Sequence, residues 1–326
     1  MKNLRLSIFL LFIYSYTDAQ VITVDNTGNG AQYDNLQEAI DAASAGDTLY
    51  VAGSNANYGG IAIDKKLTLF GNGYLDDATN KSTQLTNVTL VDIAAAGTEV
   101  AGFKLNIFDA NNVQLDDVKL TDCWITTSSA FRGTNLTIEG NLITGAQSIN
   151  FSTTTDVAKI NNNIFYGRID FFRTAQSTVE NNVFINNTSI AVPFTNSINF
   201  SRTNNIYFGF SSSQTGCPSC PSNNELFYHH DGSNYVGSNP LFVNPGTLNT
   251  SNNTPFDPMH DFSLQAGSPA IGAGQNGFDQ GAYGGPSPFV SGGLAPIPRI
   301  TSFTTSTTTI SPGSTISVTI QASSQQ

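Results

Sequence analysis

Apolar positions in the middle of the chain recur in registered columns. The triplet Asn-apolar-apolar stands at Asn141, Asn163, Asn182 and Asn205, at spacings of 22, 19 and 23 residues. Three residues before this column come Val100, Leu120, Ile138, Ile160 and Val179; two residues after it come Leu105, Ile125, Ile143, Phe165 and Phe184. The column itself opens on Phe103 and Cys123 before the asparagines begin. A unit near 20 residues with strand-like alternation cannot bury its apolar face alone, so it must stack on its neighbours. The apolar columns are then inward stacks. The asparagines fall at a turn, where a side-chain amide bonds to backbone and to the amide of the next rung. A second strand per unit aligns as Ile149-Asn150-Phe151, Ile169-Asp170-Phe171 and Ile190-Ala191-Val192. Coils at a spacing of roughly 4.8 Å make parallel sheets, and strands without intervening helices exclude a doubly wound fold. The pattern predicts an all-β parallel solenoid.

The flanks read differently. Residues 21–25 alternate as a strand, and Leu36, Ala39, Ile40 and Ala43 fall at helical spacing, with Asp34 or Asn35 as cap and Gly46 as stop. A lone helix before a run of strands suits a plug for the open end of the stack. At the far end Arg202 falls where an apolar residue belongs, so the repeat is expected to break or end there. Residues 209–239 read as a long loop. Order returns at 239–243, 261–264 and 268–271, and 281–284 closes the domain. Residues 286–298 read as a Pro/Gly linker. Two alternating strands in 299–326 are too few for a stable domain and read as the start of an incomplete Ig-like or similar β module.

Composition narrows the partners. Of the 326 residues 11% are charged, and the net charge is -11, which argues against nucleic acid, whose phosphates reward Lys and Arg. Lys2 and Arg5, the apolar stretch 6–14 and the small residues before Gln20 read as a signal peptide over 1–19, its apolar run too short for a membrane span. The expectation is a secreted or outer-surface monomer with no transmembrane segment after signal removal. Cys217 and Cys220 are spaced for a short-range disulfide in an exported protein, while Cys123 stands alone. With His229 and His230 they fit no common zinc module, so no metal is assigned.

The opening, from Tyr33-Asp34-Asn35-Leu36 through Asp47-Thr48-Leu49-Tyr50-Val51 to Leu67-Thr68-Leu69-Phe70-Gly71, resembles the N-terminal cap of right-handed parallel β-helix proteins of the pectate-lyase-like superfamily. Asn239-Pro240-Leu241-Phe242-Val243, Asp261-Phe262-Ser263-Leu264 and Asp279-Gln280-Gly281-Ala282-Tyr283 resemble a C-terminal β-helix segment of Bacteroidetes-type surface proteins. The resemblance covers about 20–285 and implies a right-handed parallel β-helix there. It implies no single activity, because the superfamily holds polysaccharide lyases, esterases, glycosidases and adhesins alike.

Candidate chemistry concentrates at 166–173. If Ile169 and Phe171 point inward, Arg168 and Asp170 face outward together, with Arg173 close by and Asn150 from the preceding coil beside them. Tyr166 and Tyr207 would supply substrate-binding aromatic surface. The alternative reading is an ordinary surface ion pair. The segment is also similar to a pectin methylesterase block, with Asp170 at the nucleophile position. Gln147 is followed by Ser148, so the second acid of that family is missing, and its Leu-Gly-Arg-Pro-Trp segment has no counterpart. Two functions remain: carbohydrate binding or a structural role towards a polysaccharide or cell-surface glycan, without cofactor, and a lyase-like enzyme on a uronate polymer. A lyase would use a base, a cation and Ca²⁺ to stabilise the developing enolate.

Overall fold

The computed structural model describes residues 19–76, 80–110, 113–144, 149–151, 153, 155–166, 176–186, 194, 200–210, 220–231, 234–246, 256–295, 297–306, 309, 313 and 315–323. Two long sheets run the length of a parallel β-solenoid. The first sheet has ten strands: Val21–Val24, Thr48–Val51, Thr68–Phe70, Glu99–Ala101, Lys119–Thr121, Leu136–Glu139, Ala158–Asn161, Thr178–Glu180, Ser201–Thr203 and Ser222–Asn223. The second has eleven: ten in its main order, from Gly60–Ile63 through Gln84–Leu90, Lys104–Ala110 and Trp124–Phe131 to Leu226–Asp231 and Asn234–Gly237, with Ile149–Phe151 pairing beside them on Trp124–Phe131. The pairing is parallel throughout, except that Asn234–Gly237 folds back antiparallel on Leu226–Asp231 and closes that edge. Val100, Leu120, Ile138, Ile160 and Val179 stack in register on the first sheet. Leu105, Ile125, Ile143, Phe165 and Phe184 do the same on the second, and all ten side chains are buried.

The turn between the sheets is held by a ladder of amides. Asn141 donates from Nδ2 to Oδ1 of Asn163, Asn163 to Asn182, and Asn182 to Asn205, each at 3.0 Å. Each Nδ2 also donates to a carbonyl one coil back: Leu120, Ile138, Ile160 and Val179. Each Oδ1 accepts the backbone N–H of the preceding rung, beginning with Cys123 at 3.0 Å. The amide-to-amide bonds all point along the stack in one direction. The last amide, on Asn205, donates to Oε1 of Glu225 at 3.0 Å, and a carboxyl group has no amide N–H to pass on, so it ends the series. The residue before each rung of this column has positive φ: Gly102, Asp122, Gly140, Asn162, Asn181, Asn204 and Asn224. Asn and Asp tolerate that left-handed conformation better than other side chains do.

The solenoid does not stop at Arg202. Ser201–Thr203 pairs in register with Thr178–Glu180, and Arg202 itself lies opposite Val179. Within 209–239, Ser222–Asn223 and Leu226–Asp231 build a further coil, so the long-loop reading fails there. The Arg202 side chain is buried and donates to the carbonyl of Cys220 at 3.5 Å. It lies within electrostatic reach of Tyr207 and Glu225, and its charge favours the ionised form of Glu225 against the burial that raises the pKa of that carboxyl.

The helix Leu36–Ala42 is capped by Asn35, which accepts from Glu38 N at 3.1 Å, and it buries Leu36, Ala39 and Ile40 against the first coils. None of the helices in the described residues is long and apolar enough to cross a membrane.

The C-terminal block adds no coil. Phe242–Asn244 and Asp261–Leu264 form an antiparallel pair. Phe242, Phe262, Ala270, Ala282 and Phe289 pack on the outer side of the second sheet, over Leu142, Ile164, Val183, Ile185, Ile206 and Phe208. The chain then runs back along the turn column as a strap. Asn224 donates to Ala273 O, Gly281 N donates to Asn204 O at 2.9 Å, and Asn162 Nδ2 donates to Ala282 O and Gly284 O. Ser287 reaches Glu139, and Tyr74 N donates to Gly292 O at 2.8 Å. Ala295 is fully buried, so most of 286–298 is docked chain rather than a free linker. Beyond it, Arg299–Thr305 and Val318–Ser323 pair with each other as an antiparallel two-stranded sheet.

Two predictions follow from the turn column. Asn163→Ala removes the acceptor of the Asn141 backbone N–H and of one Asn141 amide hydrogen, and the donor to the Ile138 carbonyl. At about 1–3 kcal/mol for each unsatisfied buried group, we expect a loss of roughly 3–5 kcal/mol, read as a lower urea midpoint. An unchanged midpoint would remove the ladder from the stability of the fold. Asp122 lies in the adjacent left-handed column near the strap, and burial, then Glu139 and Glu99, push its carboxyl up from 3.8 to about 7. The folded state therefore holds an extra proton between these values, so stability falls as pH rises from about 4 to about 7, by on the order of 2–4 kcal/mol. Melting curves of Asp122→Asn across that window should lose this slope; a slope equal to that of the unsubstituted protein would refute the assignment.

Candidate functional site

The solenoid offers its two outer faces unequally. The C-terminal block covers the outer face of the second sheet in its later coils. Among the described residues the first sheet keeps its outer face open in its earliest coils, where its alternation places Thr23, Tyr50 and Phe70 in one outward column; the next residue of that column, Ala101, is buried. Leu49 and Leu69, between these positions, are fully buried. Tyr50 and Phe70 are half-buried and stack across adjacent coils, with ring centroids 5.7 Å apart and planes at 27°.

Beside this pair lies an open trough of about 430 Å³. Its apolar side is Tyr50, Phe70, Val51, Ala52 and Ile297; its polar side is Thr23, Asp25, Asn29 and Asn72. The loop after the first strand fixes the polar groups. Asp25 Oδ1 accepts from Thr27 N at 2.8 Å and Thr27 Oγ1 at 2.6 Å, and Asn29 Nδ2 donates to Thr27 Oγ1 at 2.5 Å. These hydrogen bonds, Thr27's first, hold the Asp25 carboxyl below the usual carboxylate range, so it is ionised at neutral pH. Asn72 Nδ2 is anchored on Lys81 O at 2.8 Å. An aromatic surface faced by fixed carboxylate, amide and hydroxyl groups can hold an amphipathic ring that has one apolar side and hydroxyls on the other.

A second recess of about 380 Å³ on the same sheet is lined by Lys66, Thr68, Ala96, Gly97, Glu99, Asp117 and Lys119, with Lys119 Nζ 3.4 Å from Glu99 Oε2. A third, small space of about 20 Å³ lies beneath the C-terminal block among Tyr74, Leu142, Ile164, Phe256, His260 and Phe262. Burial lowers the pKa of His260. At its rim Trp124 donates to Thr144 Oγ1 at 2.8 Å, and Lys104 Nζ sits 4.3 Å from its ring centroid.

The residues singled out in the sequence are placed as follows. Asn141, Asn163, Asn182 and Asn205 are buried in the turn ladder. Tyr207 is not outward: its ring is buried inside the coil between Phe184 and Phe227, at 5.1 and 4.7 Å. One more coil follows Tyr207, and the inward column of the second sheet passes through it. Tyr166 leaves the coil on its outer side but is covered by Phe256, His260 and Phe262, so it too offers no free stacking surface. Asn150 lies in the strand Ile149–Phe151. Arg168, Asp170, Arg173 and Cys217 lie outside the described residues. Cys220 is disulfide-bonded, whereas Cys123 is free and buried, and burial pushes its thiol up to about 12, which makes it a poor nucleophile. No three His, Cys, Asp or Glu side chains converge on a metal-binding arrangement among the described residues.

Tyr50 and Phe70 were missed as site residues, although a signal for them existed. They stand 20 residues apart, each one position after a buried leucine, so the coil period alone puts both rings outside. Ile297 had no such signal, because only the path of the strap brings it to the first coils. Compared with known proteins, the chain matches no family model, and neither a curated protein nor a solved structure shows significant similarity to it.

Proposed function

We propose that this protein is an exported carbohydrate-binding β-solenoid of the right-handed, pectate-lyase-like kind, with the helix Leu36–Ala42 plugging the first coil and a glycan of the cell surface or its surroundings held at the Tyr50–Phe70 trough. The observation that carries this reading is the half-buried aromatic pair beside a fixed set of polar groups in a space of about 430 Å³. Pyranose rings are recognised through this combination, an aromatic surface for the C–H face and side-chain oxygens and amides for the hydroxyls. The signal-like stretch 1–19 and the disulfide at Cys220 support a location outside the cytoplasm. A lyase-like activity is the second reading. Its support among the described residues is the neighbouring recess, where Lys66 and Lys119 stand with Glu99 and Asp117 as cations and proton-transfer groups on one face.

Calorimetric titration of the full chain with a panel of oligosaccharides tests both. We expect binding without turnover. Tyr50→Ala or Phe70→Ala should weaken it about tenfold, roughly 1.4 kcal/mol, while Thr203→Ala, on the same face several coils away, should not. Affinity untouched by both aromatic substitutions would remove the trough from the function. Unsaturated products detected by ultraviolet absorbance, lost in Lys119→Ala, would replace binding with the lyase reading.

A further inference from the structure

The far wall of the trough comes from the other end of the chain. The strap reaches the first coils through close backbone contacts. A Cβ at Gly73 would lie 2.6 Å from Gly292 O, and one at Gly102 would lie 3.2 Å from Ala295 Cβ, so these positions have no room for larger residues beneath the docked strap. Gly102 also has positive φ, which a side chain would strain. Two residues after Ala295, Ile297 lines the trough with Val51, Phe70 and Asn72. Its backbone is set by a hydrogen bond from Ile297 N to Ala295 O at 2.7 Å, and Ala295 is fully buried. The position of the isoleucine therefore depends on the docking of the strap.

The charges around the trough restrict what it accepts. Its described lining holds one ionisable acid, Asp25, and no Lys or Arg. The Asp25 Oδ1 is occupied by Thr27, and no cation stands in the lining to offset a second carboxylate. A uronate carboxyl would meet an ionised Asp25 on one wall and an aliphatic side chain on the other. Both raise its free energy, the first by like-charge repulsion and the second by desolvation without a partner.

We infer that the strap is the third wall of the trough, that Ile297 is its specificity-determining residue, and that the ligand is a neutral glycan rather than a uronate. The inference rests on the glycan reading above and adds the class of sugar and the element that selects it. It also couples the two ends of the molecule: a ligand that touches Ile297 binds the strap-docked state in preference to the undocked one, and stabilises it by mass action.

The test is titration of the full chain with neutral gluco-, manno-, galacto- and xylo-oligosaccharides beside oligogalacturonate and oligomannuronate, together with amide hydrogen exchange. We expect at least one neutral series to bind at least tenfold more tightly than either uronate. Ile297→Ala should weaken neutral binding several-fold, and Ile297→Lys should narrow the neutral-to-uronate ratio at least fivefold by placing a cation on the wall. Saturating neutral ligand should slow exchange at the Gly281 and Gly293 amides, which lie in the strap. Circular dichroism melts of both variants should match the unsubstituted protein, since the side chain is half-exposed. Neutral binding that responds to Tyr50→Ala but not to either Ile297 variant, with strap exchange unchanged, would overturn this inference and leave the glycan reading standing. A preference for uronates overturns the neutral assignment. No binding by any member of the panel removes both.

Discussion

Everything in this molecule is built on the amide column at the turn between the two sheets. A parallel solenoid has to reverse direction at every coil without exposing the backbone groups of the turn. Here each asparagine serves three neighbours: the backbone N–H of the rung before it, a carbonyl on the first sheet, and the amide of the next rung. The arrangement works only if the preceding residue adopts a left-handed conformation, and that position is filled by Gly, Asn or Asp from Gly102 to Asn224. The two columns together explain the Asn-Asn pairs at 162–163, 181–182 and 204–205. The first asparagine of each pair makes the turn, and the second ties it to its neighbours. A series of amide-to-amide bonds that all run one way also needs an acceptor at its end, which accounts for the half-buried Glu225, with the buried Arg202 within electrostatic reach of it.

The strap decides which surface is left for function. The outer side of the second sheet carries Leu142, Ile164, Val183, Ile206 and their neighbours, which would form a large exposed apolar face on a bare solenoid. The C-terminal block covers that face and then follows the turn column back to the start. Its hydrogen bonds go to Asn224, Asn204 and Asn162, so the left-handed residues of the turn also form the track along which the strap docks. Among the described residues the first sheet is bordered by the strap but not overlaid by the C-terminal block. Its early coils combine an open face, an aromatic pair and the fixed loop 25–29, which is why the candidate site lies there and not at 166–173.

The architecture was legible because its signals are local and repeated. An apolar side chain every 20 residues and an asparagine three positions later need no knowledge of distant contacts. What could not be read depended on such contacts. Arg202 looked like a break because its partners, Glu225 and Tyr207, lie on other strands. Residues 209–239 looked like a loop because polar Ser222 and Asn223 make a strand only by pairing with Ser201–Thr203. Tyr207 looked available because nothing in its neighbourhood announces a further coil to continue the inward column. Tyr166 is concealed by Phe256 and Phe262, about ninety residues later. Residues 286–298 have a linker's composition, yet glycine serves there to let the strap backbone approach the turn residues closely, as at Gly293 against the Asp122 carbonyl.

The returning strap also sets how the molecule answers force. A pull between the ends of a bare stack would load its coils along the axis, working against many parallel hydrogen bonds at once. In this chain residues 273–297 retrace the whole stack, so tension applied beyond Ile297 meets the strap first. It would detach one rung contact at a time, from Tyr74 towards Asn224, in the manner of a zip. The mechanical threshold of the C-terminal side is thus set by single backbone contacts, and the coils beneath are spared until the strap has been peeled away.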